Sequence, residues 1–245
     1  MVFKMARPFK SESGYSMTEV LISTALGGIV LAGVFDLYVS SSNSILGQTN
    51  EVQMQAETKS AMDVMGRELR LMYGSPTITT TTTANDTISF VRIEESGYSS
   101  GGNTATTLQD SIKSWKVNAF APTASGVYSV RIINGQAVGE IHPILSNTAS
   151  SLTLSDTGWT SIPDTTSMYF IVRNKAFRRQ SDNTLRYQIQ SSSFNLLAAN
   201  VTSLTFSQPD PKSVSVALTA RTNTVDPRLG AYKSLTLNAT VRMRN

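Results

Sequence analysis

The chain has 245 residues, of which 40% are hydrophobic and 16% are charged, a composition that supports a buried core of ordinary size. The formal net charge is +4, which excludes the strongly basic class of dedicated nucleic-acid-binding proteins. Cys is absent from the sequence, so disulfide frameworks, thiolate metal sites and thiol nucleophiles are excluded as well.

An apolar stretch behind a short basic segment is the first element of the chain. No charged residue occurs over 20–35, and with Asp36 tolerated the apolar run extends to Val39, which is long enough to cross a hydrocarbon core of about 30 Å. Three basic residues precede this run: Lys4, Arg7 and Lys10. The apolar run therefore predicts a membrane helix over about 20–40. The positive-inside rule predicts its orientation, with the N-terminus in the cytoplasm and the later residues outside.

The residues that join the basic segment to the apolar run form a distinctive motif. Gly14 ends the basic segment, and Glu19 follows five residues later, where the apolar run begins. This motif resembles the type IV prepilin signal. The resemblance implies that 1–14 is a leader, removed by a membrane aspartyl peptidase that cuts after Gly14 on the cytoplasmic side. It also implies that Tyr15 becomes the N-methylated first residue of the mature chain.

The acidic residue of this motif has two interpretations. A carboxylate close to lipid costs free energy, about 2.5–3.5 kcal/mol at mid-bilayer and less at the edge, so a partner is expected. In the family that the motif resembles, this carboxylate pairs with the N-terminal amine of a neighbouring subunit during filament assembly, and the same role is implied for Glu19. The alternative is that Glu19 only reaches back to the cytoplasmic interface.

A conventional secretory signal is the other interpretation of the whole segment. Such a signal is cut at its far end, beside small residues, and Val39, Ser40 and Ser41 offer a weak site of that kind. Cleavage there would make Ser42 the first residue of the mature chain.

The helical pattern continues beyond the apolar run. Six residues at spacings of three or four share one face: Met54, Thr58, Ala61, Met65, Leu69 and Met72. Four charged residues gather on the opposite face: Lys59, Asp63, Arg67 and Arg70. Of these, Asp63 and Arg67 have the spacing of an i, i+4 ion pair. Gly74-Ser75-Pro76 predicts the end of the helix, which is therefore expected over 15–75.

Two further segments carry weaker resemblances. Glu68-Leu69-Arg70 resembles the acidic-Leu-Arg pattern of PilW-type minor pilins and of J-type pseudopilins of type II secretion. The region from Leu197 to the C-terminus resembles the C-terminal half of PilW-type proteins.

After Pro76 the pattern changes from helical to alternating. Strands are predicted over 87–93, 128–133, 168–173, 201–207, 214–220 and 235–243. The last three suggest an antiparallel meander with one buried face. Asn134-Gly135 predicts a two-residue hairpin turn, and Pro209-Asp210-Pro211 predicts another turn. Thr77–Thr83 and Glu95–Thr107 lack periodicity and are expected to be loops.

The expected fold class is therefore α+β. A long N-terminal α-helix, inserted in the membrane over its first half, is expected to pack on an antiparallel β-sheet head domain of residues 76–245. This layout is pilin-like, in keeping with the resemblance of the N-terminal motif.

Catalytic chemistry finds little support in the sequence. His142 is the one histidine, no nucleophile motif stands near it, and a lone histidine is more often structural than catalytic. Phosphate-binding, hydrolase and metal-binding spacings are absent from the sequence. We therefore expect a protein that is not an enzyme and that has no cofactor and no metal site.

One basic cluster is interleaved with aromatic residues, and it has two interpretations. Its members are Arg173, Lys175, Arg178, Arg179 and Arg186, with Phe177 and Tyr187 among them. Such a cluster could bind nucleic-acid phosphates while bases stack on the rings. The composition favours the other interpretation, a solvated hairpin face or contacts with acidic neighbours, so nucleic acid is not an expected partner.

The resemblance implies a minor pilin that primes or joins a type IV pilus. The implied partners are prepilin peptidase, other minor and major pilins, and the pilus assembly platform of the inner membrane. The implied location is the bacterial inner membrane, as a single-pass protein with its head outside, and then the pilus or cell surface. A type II secretion pseudopilin is the close alternative. A single-span membrane-anchored or secreted binding protein is the more distant one.

Overall fold

The computed structural model describes residues 14–80, 87–123, 126–189 and 194–243. The leader predicted over 1–14 lies outside these ranges except for Gly14. The described residues form one helix, α1 Met17–Arg70. They also form twelve strands: β1 Met72–Thr79, β2 Thr87–Tyr98, β3 Thr107–Gln109, β4 Ser129–Asn134, β5 Ile141–Asn147, β6 Ser151–Leu154, β7 Met168–Arg179, β8 Leu185–Ile189, β9 Asn195–Ala198, β10 Val201–Asp210, β11 Ser213–Arg221 and β12 Ser234–Arg242. The chain divides into two compact units at Thr49/Asn50.

The described part of the first unit is the beginning of α1. Gly14, Tyr15 and Ser16 precede the helix without regular structure, and every residue from there to Ser41 is exposed. The hydroxyl of Thr24 donates to the Val20 carbonyl at 2.5 Å, so this polar group is satisfied within the helix itself.

The second unit, Asn50–Asn245, contains the rest of α1 together with the β-strands. Five residues of its helical part are buried: Met54, Thr58, Ala61, Met65 and Leu69. They belong to the face predicted from the sequence, and the sixth member, Met72, is buried at the start of β1. Asp63 and Arg67 on the opposite face form the expected ion pair, at 3.8 Å. The predicted packing of the helix on a sheet is confirmed for this unit.

The end of α1 differs from the prediction. The helix ends at Arg70, because the backbone N–H of Ile93 donates to the Leu71 carbonyl at 2.9 Å and β1 pairs with β2 from Met72 onward. Gly74-Ser75-Pro76 therefore lies inside a strand, at a register shift between Tyr73 and Thr77. Gly74 does take the left-handed conformation, with φ of 72°, but it serves a bulge and not a helix cap.

The larger sheet is built around β7. In the described residues it has nine strands. Seven follow the order β1-β2-β7-β4-β5-β6-β3, while β8 pairs with β7 and β9 pairs with β8. One edge of β7 pairs with β2 along its length. The other edge pairs with β4 near Met168 and with β8 near Arg179. All of these pairings are antiparallel. Because β7 pairs with three strands, β2, β4 and β8, it is the central strand of the larger sheet.

The smaller sheet is the predicted C-terminal meander. Its order is β10-β11-β12, and β11 pairs with β12 over nine consecutive residues without a bulge. Val214, Val216 and Leu218 of β11 are buried on one face, as the alternation predicts. The turn predicted at Pro209-Asp210-Pro211 is displaced, because Pro209 and Asp210 are the last two residues of β10. The chain reverses at Pro211 and Lys212, where Asp210 pairs with Ser213.

Two predictions for the middle of the chain are wrong in detail. β4 and β5 do form an antiparallel pair, but they are not joined by a two-residue turn. Asn134 remains in β4, paired with Met168, and the backbone of Ile132 bonds to Gly139 and Glu140. The loops predicted over Thr77–Thr83 and Glu95–Thr107 begin within strands, because β1 extends to Thr79 and β2 extends to Tyr98. Residues 99–106 do connect β2 to β3, and 81–83 lie outside the described residues.

Two groups of buried apolar residues form the core of the second unit. The first contains Met65 and Leu69 of α1, Phe177 of β7 and the buried faces of β10 and β11. The second gathers Tyr169 and Ile171 of β7 with residues of β3 to β6. Both groups use alternate residues of β7, and between them on the same alternation lie two cations, Arg173 and Lys175.

Candidate functional site

The exposed apolar beginning of α1 is the most unusual feature of the described chain. Eleven large apolar side chains between residues 20 and 38 are more than half exposed: Val20, Leu21, Ile22, Leu26, Ile29, Val30, Leu31, Val34, Phe35, Leu37 and Tyr38. Water contact on this scale is unfavourable, by about 25 cal/mol for each Å² of apolar surface. α1 is long and apolar enough to cross a membrane, and none of its most apolar stretch is buried. The segment is therefore compatible with a membrane anchor or with a signal sequence near the N-terminus.

A capping box closes the N-terminal end of this helix. The backbone N–H of Glu19 donates to the Ser16 hydroxyl oxygen at 3.2 Å, and the backbone N–H of Ser16 donates to the Glu19 carboxylate at 3.1 Å. The two residues thus satisfy each other's backbone donors at the first turn. The negative charge also lies at the positive end of the helix dipole.

The capping box gives Glu19 a role that the sequence interpretation missed. The signal was present, because Ser16-Met17-Thr18-Glu19 has the Ser-x-x-Glu spacing of a capping box. Gly14 and Tyr15, the predicted cleavage and methylation residues, lie exposed just before this box and outside the helix. Backbone that is exposed and outside a helix is accessible to an enzyme.

An ionic cluster in the second unit contains two of the five basic residues singled out from the sequence. We define the ionic cluster as Glu68, Arg92, Glu94, Arg173 and Lys175. Lys175 Nζ lies 2.8 Å from Glu68 Oε2 and 3.3 Å from Glu94 Oε1. Arg92 contacts the same two carboxylates, and Arg173 lies 3.3 Å from Glu94. The cluster thus joins α1, β2 and β7.

The electrostatics of the ionic cluster follow from its burial. Burial opposes ionisation of the Glu94 carboxyl, but the surrounding cations, Lys175 foremost, outweigh this effect and lower the pKa of Glu94 below its ordinary value of 4.5. The Lys175 side chain is 3% exposed. A buried cation held between two carboxylates is structural and not available to an external phosphate.

The other three basic residues make their contacts outside the ionic cluster. Arg179 is buried and donates to the Val201 carbonyl at 2.8 Å and to Asn183 at 2.6 Å. Arg186 pairs with Asp182 at 2.9 Å, and the Arg178 guanidinium lies over the Phe194 ring at 4.2 Å. The structure therefore places Arg173 and Lys175 together in the ionic cluster and gives Arg179 separate contacts, while Arg178 and Arg186 are cross-strand partners in β7 and β8.

His142 is held in place by two carboxylates. Its Nδ1 lies 2.8 Å from Asp156 and its Nε2 lies 3.1 Å from Glu140, while its ring contacts Trp159 edge-on at 4.6 Å. Glu140 also accepts backbone hydrogen bonds from Thr160 and Ser161. These contacts fasten the segment around Trp159 to the β4–β5 hairpin, which is a structural use of the histidine.

Over the residues that the structure describes, no group of three or more His, Asp or Glu side chains is placed to hold a metal ion. No protein-family model, no curated protein and no solved structure matches the chain.

Proposed function

We propose that this protein is a minor pilin of the type IV pilin family. In this proposal a prepilin peptidase cleaves the chain after Gly14, and Tyr15 becomes the methylated N-terminus. The first part of α1 then anchors the subunit in the bacterial inner membrane, with the β-rich head outside. The subunit acts by joining or priming a filament of related subunits, through bundling of their apolar helices.

The observation that carries the proposal is the exposed apolar start of α1. An isolated membrane anchor needs about 20 apolar residues and no acidic group at their beginning. Here the apolar run begins with Glu19, four residues after the predicted new N-terminus at Tyr15. A carboxylate in this place is costly in lipid unless it is paired, and the amine that cleavage creates on a neighbouring subunit is a suitable partner.

The first test is the mass of the mature N-terminus. The full chain is expressed in bacterial cells that contain a prepilin peptidase, recovered from membranes, and analysed by mass spectrometry. We expect the mature chain to begin at N-methylated Tyr15, and we expect Gly14→Val to leave the leader attached. A chain that begins at Ser42 would show conventional signal cleavage and would end the proposal.

A pair of variants separates the two roles of Glu19. Gln can occupy the third helical position of a capping box, so Glu19→Gln keeps the hydrogen bond to Ser16 and removes the charge. Ser16→Ala does the reverse, because it removes the hydroxyl acceptor and keeps the carboxylate. We expect Glu19→Gln to abolish incorporation into filaments and Ser16→Ala to preserve it.

Asp36→Asn is the matched control for Glu19→Gln, since Asp36 is the other carboxylate of the apolar stretch. Loss of incorporation in both variants would mean that removal of either carboxylate charge prevents assembly, so that the effect is not specific to Glu19. Normal incorporation of Glu19→Gln would contradict the assembly role. The two filament systems are told apart by deletion of the gene, because loss of pili identifies a pilus subunit and loss of protein secretion identifies a pseudopilin.

A further inference from the structure

An arginine-lined cleft lies beside the last turns of α1. Its volume is about 640 Å³. Four guanidinium groups line it, those of Arg67, Arg70, Arg92 and Arg242, with one carboxylate, Glu68. Val64 and Leu71 supply its apolar walls. We call this feature the arginine cleft, and all of its residues belong to the unit that starts at Asn50.

The positive charge of the arginine cleft is not balanced from within. The Glu68 carboxylate is already shared by Lys175 at 2.8 Å and Arg92 at 3.0 Å. Arg67 has a loose partner in Asp63, at 3.8 Å. Over the described ranges, the side chains of Arg70 and Arg242 make no ion pair and no hydrogen bond, and both residues are exposed. The cleft therefore presents two unpaired guanidinium groups to solvent.

Asp210, which lies within the electrostatic influence of Arg242, does not supply the missing charge. Hydrogen bonds from Ser213 and from the Lys212 backbone are the main causes of the lowered pKa of Asp210, and the positive charge of Arg242 contributes less. The oxygens of Asp210 are held by these donors, at 2.5 Å and 2.7 Å. Asp210 thus belongs to the β10–β11 turn and leaves the guanidinium group of Arg242 unpaired.

The chemistry of the arginine cleft defines its ligand. Guanidinium groups bind carboxylates through two parallel hydrogen bonds. The cleft is much larger than a single inorganic anion, and its apolar walls favour a ligand that also carries aliphatic groups. We infer that the arginine cleft binds an acidic segment of another polypeptide, in which carboxylates alternate with aliphatic side chains. This inference does not depend on Gly14, Glu19 or the membrane helix.

The test uses the full chain in detergent micelles and two fluorescein-labelled octapeptides. One peptide alternates Glu with Leu, and the other replaces each Glu by Gln. Fluorescence anisotropy measures binding at low salt and at about 0.15 M salt. We expect the Glu peptide to bind and the Gln peptide not to bind. We expect Arg70→Gln/Arg242→Gln to weaken binding about tenfold or more, since hydrogen bonds to charged groups are the stronger class.

The matched control is Lys59→Gln/Lys116→Gln, which removes the same charge at two exposed positions outside the cleft. This variant is expected to bind the Glu peptide as the unmodified chain does. Equal weakening in both double variants would show attraction by overall charge and would overturn the inference. Unchanged binding of the Glu peptide by Arg70→Gln/Arg242→Gln would overturn the inference as well. Binding of inorganic phosphate without binding of the Glu peptide would also overturn it. Circular dichroism verifies that each variant is folded.

Discussion

The ammonium group of Lys175 lies 2.8 Å from the carboxylate of Glu68, although 107 positions separate the two residues in the sequence. Lys175 is in the middle of β7, and Glu68 is in the last turn of α1. Their contact joins the end of the helix to the central strand of the larger sheet. It also explains why a lysine can be buried between the two apolar cores.

Removal of this lysine should destabilise the head. Lys175→Met keeps an aliphatic chain of similar length but leaves two buried carboxylates with fewer cations. Arg92 and Arg173 remain, so we expect a loss of about 1–3 kcal/mol in the free energy of unfolding, below the cost of a wholly unpaired buried charge. Urea denaturation of the full chain in micelles, followed by tryptophan fluorescence, measures it. Lys59→Met, on the exposed face of α1, should change stability by less than about 0.5 kcal/mol.

The stability of the head should fall in acid, in part through Glu140. Burial opposes its ionisation, but hydrogen bonds from the Thr160 backbone and from His142 outweigh this effect, so the pKa of Glu140 lies below its ordinary value of 4.5. A lowered folded-state pKa gives stability that is complete above the unfolded-state pKa and is lost as the pH falls through the folded-state pKa. We therefore expect Glu140→Gln to lose less stability than the unmodified chain between about pH 5 and about pH 3.

Urea midpoints at several pH values measure this difference. Asp156→Asn should act in the same direction, because the pKa of Asp156 is also lowered from its ordinary value of 3.8, burial being outweighed by the His142 hydrogen bond foremost. Parallel pH profiles for the unmodified chain and for both variants would contradict the expectation.

Replacement of Gly66 by Ala should stabilise the head. Gly66 lies inside α1, and a Cβ at this position would meet only the Val241 side chain, at a distance of 4.0 Å. Glycine lowers helix stability relative to alanine by about 0.5–1 kcal/mol. Gly66→Ala should recover this amount, measured as a higher urea midpoint. A lower midpoint would mean that α1 approaches β12 more closely than the structure places it.

Replacement of Tyr169 by Phe should be costly. The buried hydroxyl of Tyr169 donates to the Asp110 carboxylate at 2.7 Å, and Asp110 is itself 2% exposed. Loss of this donor leaves a buried carboxylate with a weaker set of partners, at a cost of about 1–3 kcal/mol. Tyr98→Phe is the control, since Tyr98 is 57% exposed. Equal midpoints for the two variants would contradict the importance of the buried bond.

The parts of the fold that the sequence predicts well are those with local causes. The apolar face from Met54 to Leu69 follows from helical periodicity, and the buried face of β11 follows from alternation. The α+β class follows from the change of pattern after the helix. The capping box also has a local cause, because the Ser-x-x-Glu spacing of Ser16 and Glu19 is visible in the sequence alone.

The parts that the sequence predicts poorly depend on distant pairing. α1 ends before Gly74 because β1 pairs with β2, and β2 continues to Tyr98 because β7 is long enough to pair with it. Local residue types contain no information on either partner. The same limitation applies to Lys175, since the carboxylates that bury it come from α1 and from β2.

The capping box at Ser16 and Glu19 bears on how readily a bundled subunit could leave again. A carboxylate that already accepts a hydrogen bond inside its own chain gives up that bond when it turns to an amine on a neighbour. Attachment at this point then exchanges one favourable contact for another, so the net free energy released is smaller than an unengaged carboxylate would provide. In a filament assembled as proposed, detached subunits would keep a complete helix end and stay competent to join again.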